Sequence, residues 1–295
     1  MSREVSPSTG QVYGVQRVCT SAGLARSSYY AHQERTTQPQ PPKRRRGPKP
    51  EISDERLLEL IREDLKASLF SGEGHRKVWA RLKYGQGLRA GRMRVLRIMR
   101  EHNLLSPYRR PQGDANLHEG SIGTDEPNRM WGTDGGKVFT LEDGYVWVFV
   151  AVEHWNAECM GVHVCKHGSR FAALEPVAQG VQREFGTVEG DAARGLALRM
   201  DHGSQYTSEY FQKQVKWWGI APSFAFLSEP ETNGVAERFI RTLKEQAIYG
   251  RVFRNVEEVR QAVVQFVERY NRAWRVEKNG YRSPQEIRRG LERAA

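Results

Sequence analysis

Residues Tyr145-Val146-Trp147-Val148-Phe149-Val150-Ala151-Val152 form an unbroken run without a charge. A strand with one wet face alternates polar and apolar side chains, so a run like this, opened by Gly144, predicts a central strand covered on both sides. The flanking pattern supplies the covers. Trp131 to Asp134 and Lys137 to Thr140 read as the preceding strand, and Met160 to Cys165 completes a meander. A helix over 169–184, a strand ending at Asp201, a helix over 207–218, a strand from Ala221 to Phe226 and a helix through Glu237 then alternate. Three strands followed by alternating helices and strands define an α/β domain.

Two acidic residues are distinguished by their place in this pattern. Asp201 follows the apolar run Leu196 to Met200, where a buried strand delivers a side chain to the edge of its sheet, and Gly203 opens a turn behind it. Glu237 lies in the first turn of a helix whose core face is Val235, Phe239 and Leu243, with Asn233 as its expected N-cap. Arg241 and Lys244 fall one and two turns beyond Glu237, so one helical face carries a carboxylate and two cations and can hold a metal and a phosphate together. Acidic residues number 35 in 295, so a bare pair would mean little. The weight comes from the package of strand-end Asp, 35 intervening residues, and helical Glu with basic residues behind it.

The segments Asp201-His202-Gly203-Ser204-Gln205-Tyr206-Thr207-Ser208 and Asn233-Gly234-Val235-Ala236-Glu237-Arg238-Phe239-Ile240-Arg241-Thr242-Leu243-Lys244-Glu245 resemble the signatures of D,D(35)E polynucleotidyl transferases. More specifically they are similar to the insertion-sequence-3 family of bacterial transposases, second reading frame (OrfB). The resemblance covers roughly residues 11 to 290. It implies a ribonuclease-H-like catalytic core, a mixed five-stranded sheet with flanking helices, preceded by a helical DNA-binding region. Trp131-Gly132-Thr133-Asp134 is similar to the family's first motif, which makes Asp134 the first carboxylate. Gly135-Gly136 depart from the apolar or aromatic pair expected next, and Asp125, Asp143 and Glu153 are nearby rivals. Glu153 ends the central strand where relatives commonly carry Asp and reads as structural. His202 stands where Asn is more usual.

Three carboxylates drawn to one spot repel one another by about 4 kcal/mol per pair at 4 Å and an effective dielectric near 20. A cation relieves the conflict, and oxygen-only ligands select Mg²⁺ or Mn²⁺. The expected catalytic and metal-holding set is Asp134, Asp201 and Glu237 around two ions, which suits an in-line phosphoryl transfer in which water nicks DNA and the freed 3′-hydroxyl joins strands. Lys244, Arg241 and Arg238 are the expected phosphate contacts beside it. Zinc is not expected, since neither H-x3-H nor C-x2-C occurs in a usable position. Two other readings stay open: a ribonuclease-H-like nuclease that does not join strands, and a DNA-binding repressor with an inactive core.

The net charge of +11 sits at the front of the chain: residues 1–130 hold 24 Lys and Arg against 14 Asp and Glu. That asymmetry points to a polyanion. A helix-turn-helix-like segment is expected over 1–35, a basic Pro-rich linker with Lys43-Arg44-Arg45-Arg46 over 36–52, and a helical DNA-binding domain over 53–110. From Arg76 to Arg110 eleven basic residues meet one acid, Glu101, so Arg76, Lys77, Arg81, Arg92, Arg94 and Arg97 are candidate phosphate contacts alongside the tetrabasic cluster. A linker over 111–129, the core over 130–250 and a helical tail over 251–295 complete the expected order. The implied partner is double-stranded DNA, as terminal inverted repeats and as target. The resemblance further implies a homo-oligomer and a frameshift fusion with an upstream OrfA product. No apolar run approaches the roughly 18 residues of a membrane span, the N-terminus lacks the pattern of a secretory signal, and Cys19, Cys159 and Cys165 form no paired framework. A cytoplasmic, nucleoid-associated protein is the expectation.

Overall fold

The computed structural model describes residues 3–37, 50–107, 123–225 and 233–292, and the chain divides into a unit of Met1–Pro50 and a unit of Glu51–Ala295. Lys43, Arg44, Arg45 and Arg46 lie outside the described residues. In the first unit, α1 (Gly14–Ser21) and α2 (Arg26–Thr37) meet at a turn where Gly23 takes a φ of +64°, with Cys19 buried between them. Those are the two short helices that the spacing of Val12, Val15, Val18 and Cys19 predicts.

The second unit opens with α3 (Asp54–Ala67), α4 (His75–Ala80) and α5 (Arg92–Glu101). Ser53 starts α3 by accepting a hydrogen bond from the Arg56 amide at 3.2 Å. Leu57, Ile61, Val78, Leu82, Val95, Ile98 and Met99 form its private core. The basic side chains of this region divide by direction. Arg81 points inward, its guanidinium bound to Asp64 at 2.7 Å and to Glu73 at 2.5 Å. Lys77 stands 3.7 Å from Glu73 and over the Trp274 ring. Lys77 and Arg81, which composition alone assigns to phosphates, are thus drawn into the interior by buried acids that their helix had to neutralise. Arg94 and Arg97 share Asp54, and Arg76 and Arg92 share Glu277. These four remain partly exposed, and such surface pairs contribute little to stability.

Five strands, β1 (Met130–Thr140), β2 (Gly144–Glu153), β3 (Cys159–Cys165), β4 (Ala197–Met200) and β5 (Ala221–Phe224), lie in the order β3-β2-β1-β4-β5. β1 runs antiparallel to β2 and parallel to β4, which makes the sheet mixed. Val146, Val148, Phe149, Val150, Ala151 and Val152 are all at most 2% exposed, as their unbroken apolarity requires. One face packs under α6 (Arg170–Phe185), α7 (Ser204–Thr207) and α8 (Glu209–Trp217). The other packs under α9 (Gly234–Leu243) and α10 (Val256–Ala273). The helix expected over 207–218 is α8, which Ser208 caps by accepting from the Phe211 amide, and the short α7 precedes it.

The helical region and the C-terminal tail are held against the sheet domain. Phe70 enters its core edge-on to Trp274 at 4.8 Å, and Gln246 exchanges hydrogen bonds of 3.0 and 2.7 Å with the Ser71 backbone. In the tail, Asn279 donates to Asn156 O at 2.8 Å and Arg288 reaches Glu184 at 2.6 Å before and within α11 (Pro284–Glu292). No described helix is long and apolar enough to cross a membrane. Arg81→Met, which leaves Asp64 and Glu73 buried without their partner, is expected to lower the unfolding free energy by about 3 kcal/mol. Urea titration checks this, and an unchanged midpoint would return Arg81 to the surface.

Candidate active site

β1 and β4 pair from Met130–Ala197 to Gly132–Arg199, and beyond that point no pairing joins them. Asp134 and Asp201 stand on the two lips of this opening. On β1 the residues facing α9 are fixed by contact. A side chain at Gly132 would start 3.3 Å from Ala236 Cβ, and one at Gly136 3.4 Å from Ile240. Asp134, midway between them, therefore faces the same helix. Glu237 follows Ala236 in the first turn of α9, half-buried. Asp201 is the first residue past β4, and its Oδ1 accepts from the Gly203 amide at 2.8 Å, holding the turn.

The electrostatics agree with this placement. Asp134 is pushed up from the ordinary aspartate range to about 7, first by burial and then by the charges of Asp201 and Glu237. The Gly135 amide, which donates to its Oδ1 at 2.7 Å, and the Lys244 ammonium pull the other way. A strand, a strand end and a helix thus bring three carboxylates into one field. They are neighbours and not a finished cage, since no group of three or more His, Cys, Asp or Glu among the described residues is arranged to hold a metal ion. The rivals lie elsewhere. Asp143 pairs with Lys166 at 2.7 Å at the hairpin tip. Glu153 is buried and accepts from the Asn128 amide at 2.7 Å and from Trp131 Nε1 at 3.1 Å, so it ties the end of β2 to the start of β1.

Gly136, which departs from the expected motif, has a steric reason. Lys244 crosses it, with Cε 3.2 Å and Nζ 3.4 Å from where a side chain would begin, and its charge acts on Asp134. The helix widens into a π turn over Lys244–Ile248 as it does so. Arg241 and Arg238 are exposed on α9. Neither Arg241 nor Lys244 forms an ion pair with a described residue. Asn233 does not cap α9 with its side chain. It donates to Thr133 O at 2.9 Å, pinning the helix start to β1 one residue from Asp134. That bond needs a 100-residue span and leaves no local trace in sequence. His202 bonds Ala225 O at 2.8 Å and stacks on Phe224, which fastens the end of β4 to the end of β5.

Comparison with known proteins agrees with the geometry. Two models of an integrase core domain match residues 124–226 and 218–284, and a model of an HTH-like domain matches 53–112. A putative transposase for insertion sequence element IS986/IS6110 of Mycobacterium tuberculosis (strain ATCC 25618 / H37Rv) is 27% identical over 265 residues, 84% of this chain and 88% of that protein. Transposase InsD for insertion element IS2D of Escherichia coli (strain K12) is 29% identical over 73% of each chain. Among solved structures, the catalytic core domain of BIV integrase aligns with 57% of this chain and 97% of its own at 20% identity and a TM-score of 0.40. The five-stranded mixed sheet and the integrase-core matches define an enzyme of the polynucleotidyl transferase class. With the HTH-like segment and the insertion-element relatives, the chain is similar to insertion-element transposases, which supports the insertion-sequence-3 family, OrfB type.

The raised Asp134 gives a signed pH dependence. A carboxyl that binds its proton more tightly folded than unfolded stabilises the fold fully below the unfolded value near 4, and that contribution is lost as pH rises through about 7. In the absence of divalent ions, stability is expected to fall between pH 4 and 7, and Asp134→Asn to remove this part of the slope. Chemical denaturation of both proteins across that range checks it.

Proposed function

We propose that this transposase cuts and joins DNA at the ends of an insertion sequence by metal-dependent phosphoryl transfer, with Asp134, Asp201 and Glu237 as the catalytic carboxylates. The observation that carries the reading is the meeting of three elements at Asp134, where Asp201 and Glu237 both act on one half-buried carboxyl. An all-oxygen donor set suits Mg²⁺ or Mn²⁺, and the mutual repulsion of these carboxylates, which adds to burial in raising Asp134, is what such a cation would relieve. Asp134, between the other two, would hold both of two ions; Asp201 would complete one site and Glu237 the other. When bound, the ions supply a nucleophile activated at neutral pH and charge stabilisation on the leaving oxygen.

The remaining work belongs to side chains. Lys244, lying over Gly136, holds a non-bridging phosphate oxygen next to the reacting phosphorus, and Arg241 and Arg238 line the exposed ridge of α9 where the strand continues. The Asp134 carboxyl binds its ions only after losing its proton, so cation loading and proton release are linked. The region matched over 53–112 grips double-stranded DNA, terminal repeats first and target second, through Arg76, Arg92, Arg94 and Arg97, which remain partly exposed. Lys43, Arg44, Arg45 and Arg46 add non-specific attraction. The relatives' naming as insertion-element transposases supports these partners. We assign the chain to a homo-oligomer on paired ends, to fusion with an upstream OrfA product, and to the cytoplasmic nucleoid where its DNA lies.

Asp201→Asn keeps the size of the side chain and removes its charge. On labelled terminal-repeat DNA in Mg²⁺ it is expected to lower both nicking and strand joining by at least about a thousandfold, as loss of a metal-organising group does, while retaining DNA binding. Retained cleavage would overturn the assignment, and cleavage by the unaltered protein without any joined product would favour a nuclease.

A further inference from the structure

The ladder between β1 and β4 stops where the site begins, and the stop is one-sided. Ala197 N donates to Arg129 O at 3.0 Å. Carbonyls on that edge of β1 recur at every second residue, so the next are Trp131 O and Thr133 O, and a continuing parallel ladder would bring the Asp201 amide to Thr133 O. Among the described residues no backbone hydrogen bond joins Asp201 to Thr133, and the paired register ends at Gly132–Arg199. On its other edge the same segment stays joined: Ala225 N donates to Met200 O at 2.8 Å, and His202 Nε2 bonds Ala225 O at 2.8 Å. The chain therefore keeps β5 and leaves β1 at the step that would pair Thr133 with Asp201.

The carbonyl that β4 gives up is taken by a side chain. Asn233 is 1% exposed, and its Nδ2 donates to Thr133 O at 2.9 Å. Turned over, the amide would set an oxygen against that carbonyl oxygen, so its orientation follows from the bond. Its Oδ1 is buried, has no hydrogen-bond partner among the described residues, and is 2.9 Å from where a side chain at Gly132 would begin. An asparagine at a helix start ordinarily uses this oxygen to accept from an amide of the first turn, and Asn233 makes no such cap. The same turn of α9 meets β1 a second time, with Ala236 Cβ 3.3 Å from the Gly132 position. Glu237 follows Ala236 and lies one turn beyond Asn233, and the peptide whose carbonyl Asn233 holds is the one that leads into Asp134.

We propose that Asn233 is a positioning residue that ends the β1–β4 ladder and sets the spacing of the three carboxylates. By taking Thr133 O it keeps the Asp201 segment from zipping onto β1 beside Asp134, and by the same bond it registers the Glu237 turn of α9 against β1. The consequence for an ion rests on the reading of those carboxylates as metal ligands; the ladder stop does not. An aspartate at this position would cap α9 and set an oxygen against Thr133 O, and a serine would cap it and fall short by one bond. An amide of this length donates where neither can. Mg²⁺ demands near-ideal octahedral geometry, so a shift of one carboxylate against the others shows first in its affinity.

The test uses the full chain without DNA and Asn233→Ser, which keeps a capping side chain and loses the reach to Thr133 O. Hydrogen exchange of the Asp201 amide, read by NMR in metal-free protein, is expected to slow about fivefold, the worth of one added hydrogen bond, as that amide takes the freed carbonyl. Mg²⁺ binding, measured by competition against Mn²⁺ followed by electron paramagnetic resonance, is expected to weaken about tenfold, in line with groups that orient metal ligands. Arg81→Met, which destabilises the fold from the buried Asp64 and Glu73, is expected to change neither. Gly132→Ala keeps Asn233 and crowds its Oδ1, and is expected to match Asn233→Ser in both measurements, so it serves should that variant fold poorly. Unchanged exchange at Asp201 would overturn the inference. So would unchanged Mg²⁺ affinity in a protein that binds Mg²⁺, or an equal loss of affinity in Arg81→Met, which assigns the effect to stability. If the unaltered protein binds neither ion and exchange at Asp201 still slows in Asn233→Ser, the ladder stop stands and the metal reading fails.

Discussion

Everything at the centre of this molecule turns on holding like charges together at the edge of one sheet. Asp134 lies on an inner strand, Asp201 at a strand end and Glu237 on a helix, and burial plus the other two charges push Asp134 to about 7. Repulsion of this kind would drive flexible segments apart, so each carboxylate is delivered by an element anchored elsewhere. β2 fixes β1 through ten consecutive cross-strand pairs, from Trp131–Glu153 to Thr140–Gly144. The start of α9 is pinned by Asn233 on Thr133 O and by close contact at Gly132. His202 holds the end of β4 to the end of β5. The cores on either face, one built around Phe239 and Phe266 and the other around Phe211 and Leu198, carry the cost of a strained centre.

The same logic explains why the basic front of the chain divides by direction. Buried acids need cations more than the surface does, and Asp64 and Glu73 take Arg81 and Lys77 inward. Asp54 and Glu277 draw on Arg94, Arg97, Arg76 and Arg92 only at the surface, where water competes and a phosphate can replace a carboxylate. Net charge therefore indicates the polyanion without indicating which side chains meet it.

What could be read from sequence was whatever the period of the backbone writes into it. The charge-free run over 145–152 announced β2, the i, i+4, i+8 set Val235, Phe239 and Leu243 announced the α9 face, and the strand-end place of Asp201 followed from Leu196 to Met200. Tyr145 is the partial exception: at 66% exposed it extends past the covering helices, which an apolar letter alone does not reveal. Interactions that join distant segments left no such trace. Asn233 looks like an N-cap because Asn often is one, yet its amide finds Thr133 O across the domain. Arg81 looks like its basic neighbours until Asp64 and Glu73 are seen beside it. Gly136 looks like a departure from a motif until Lys244 is seen crossing it.

Lys244 supplies the cation of the chain's own that acts on Asp134. An arginine would bring a planar, forked charge, whereas an ammonium on a flexible four-carbon stem can lie along a side-chain-free stretch of strand. Its charge acts on Asp134 together with the Gly135 amide, and the two are still outweighed by burial and the neighbouring carboxylates, since Asp134 stays raised. The local cation thus offsets only part of what raises Asp134. A site stabilised completely by its own lysine would have no affinity left for an added cation. One with no lysine would have to hold Asp134 against Asp201 and Glu237 with backbone rigidity alone. The intermediate balance, set by the empty space over Gly136, keeps the carboxylates assembled and still short of positive charge.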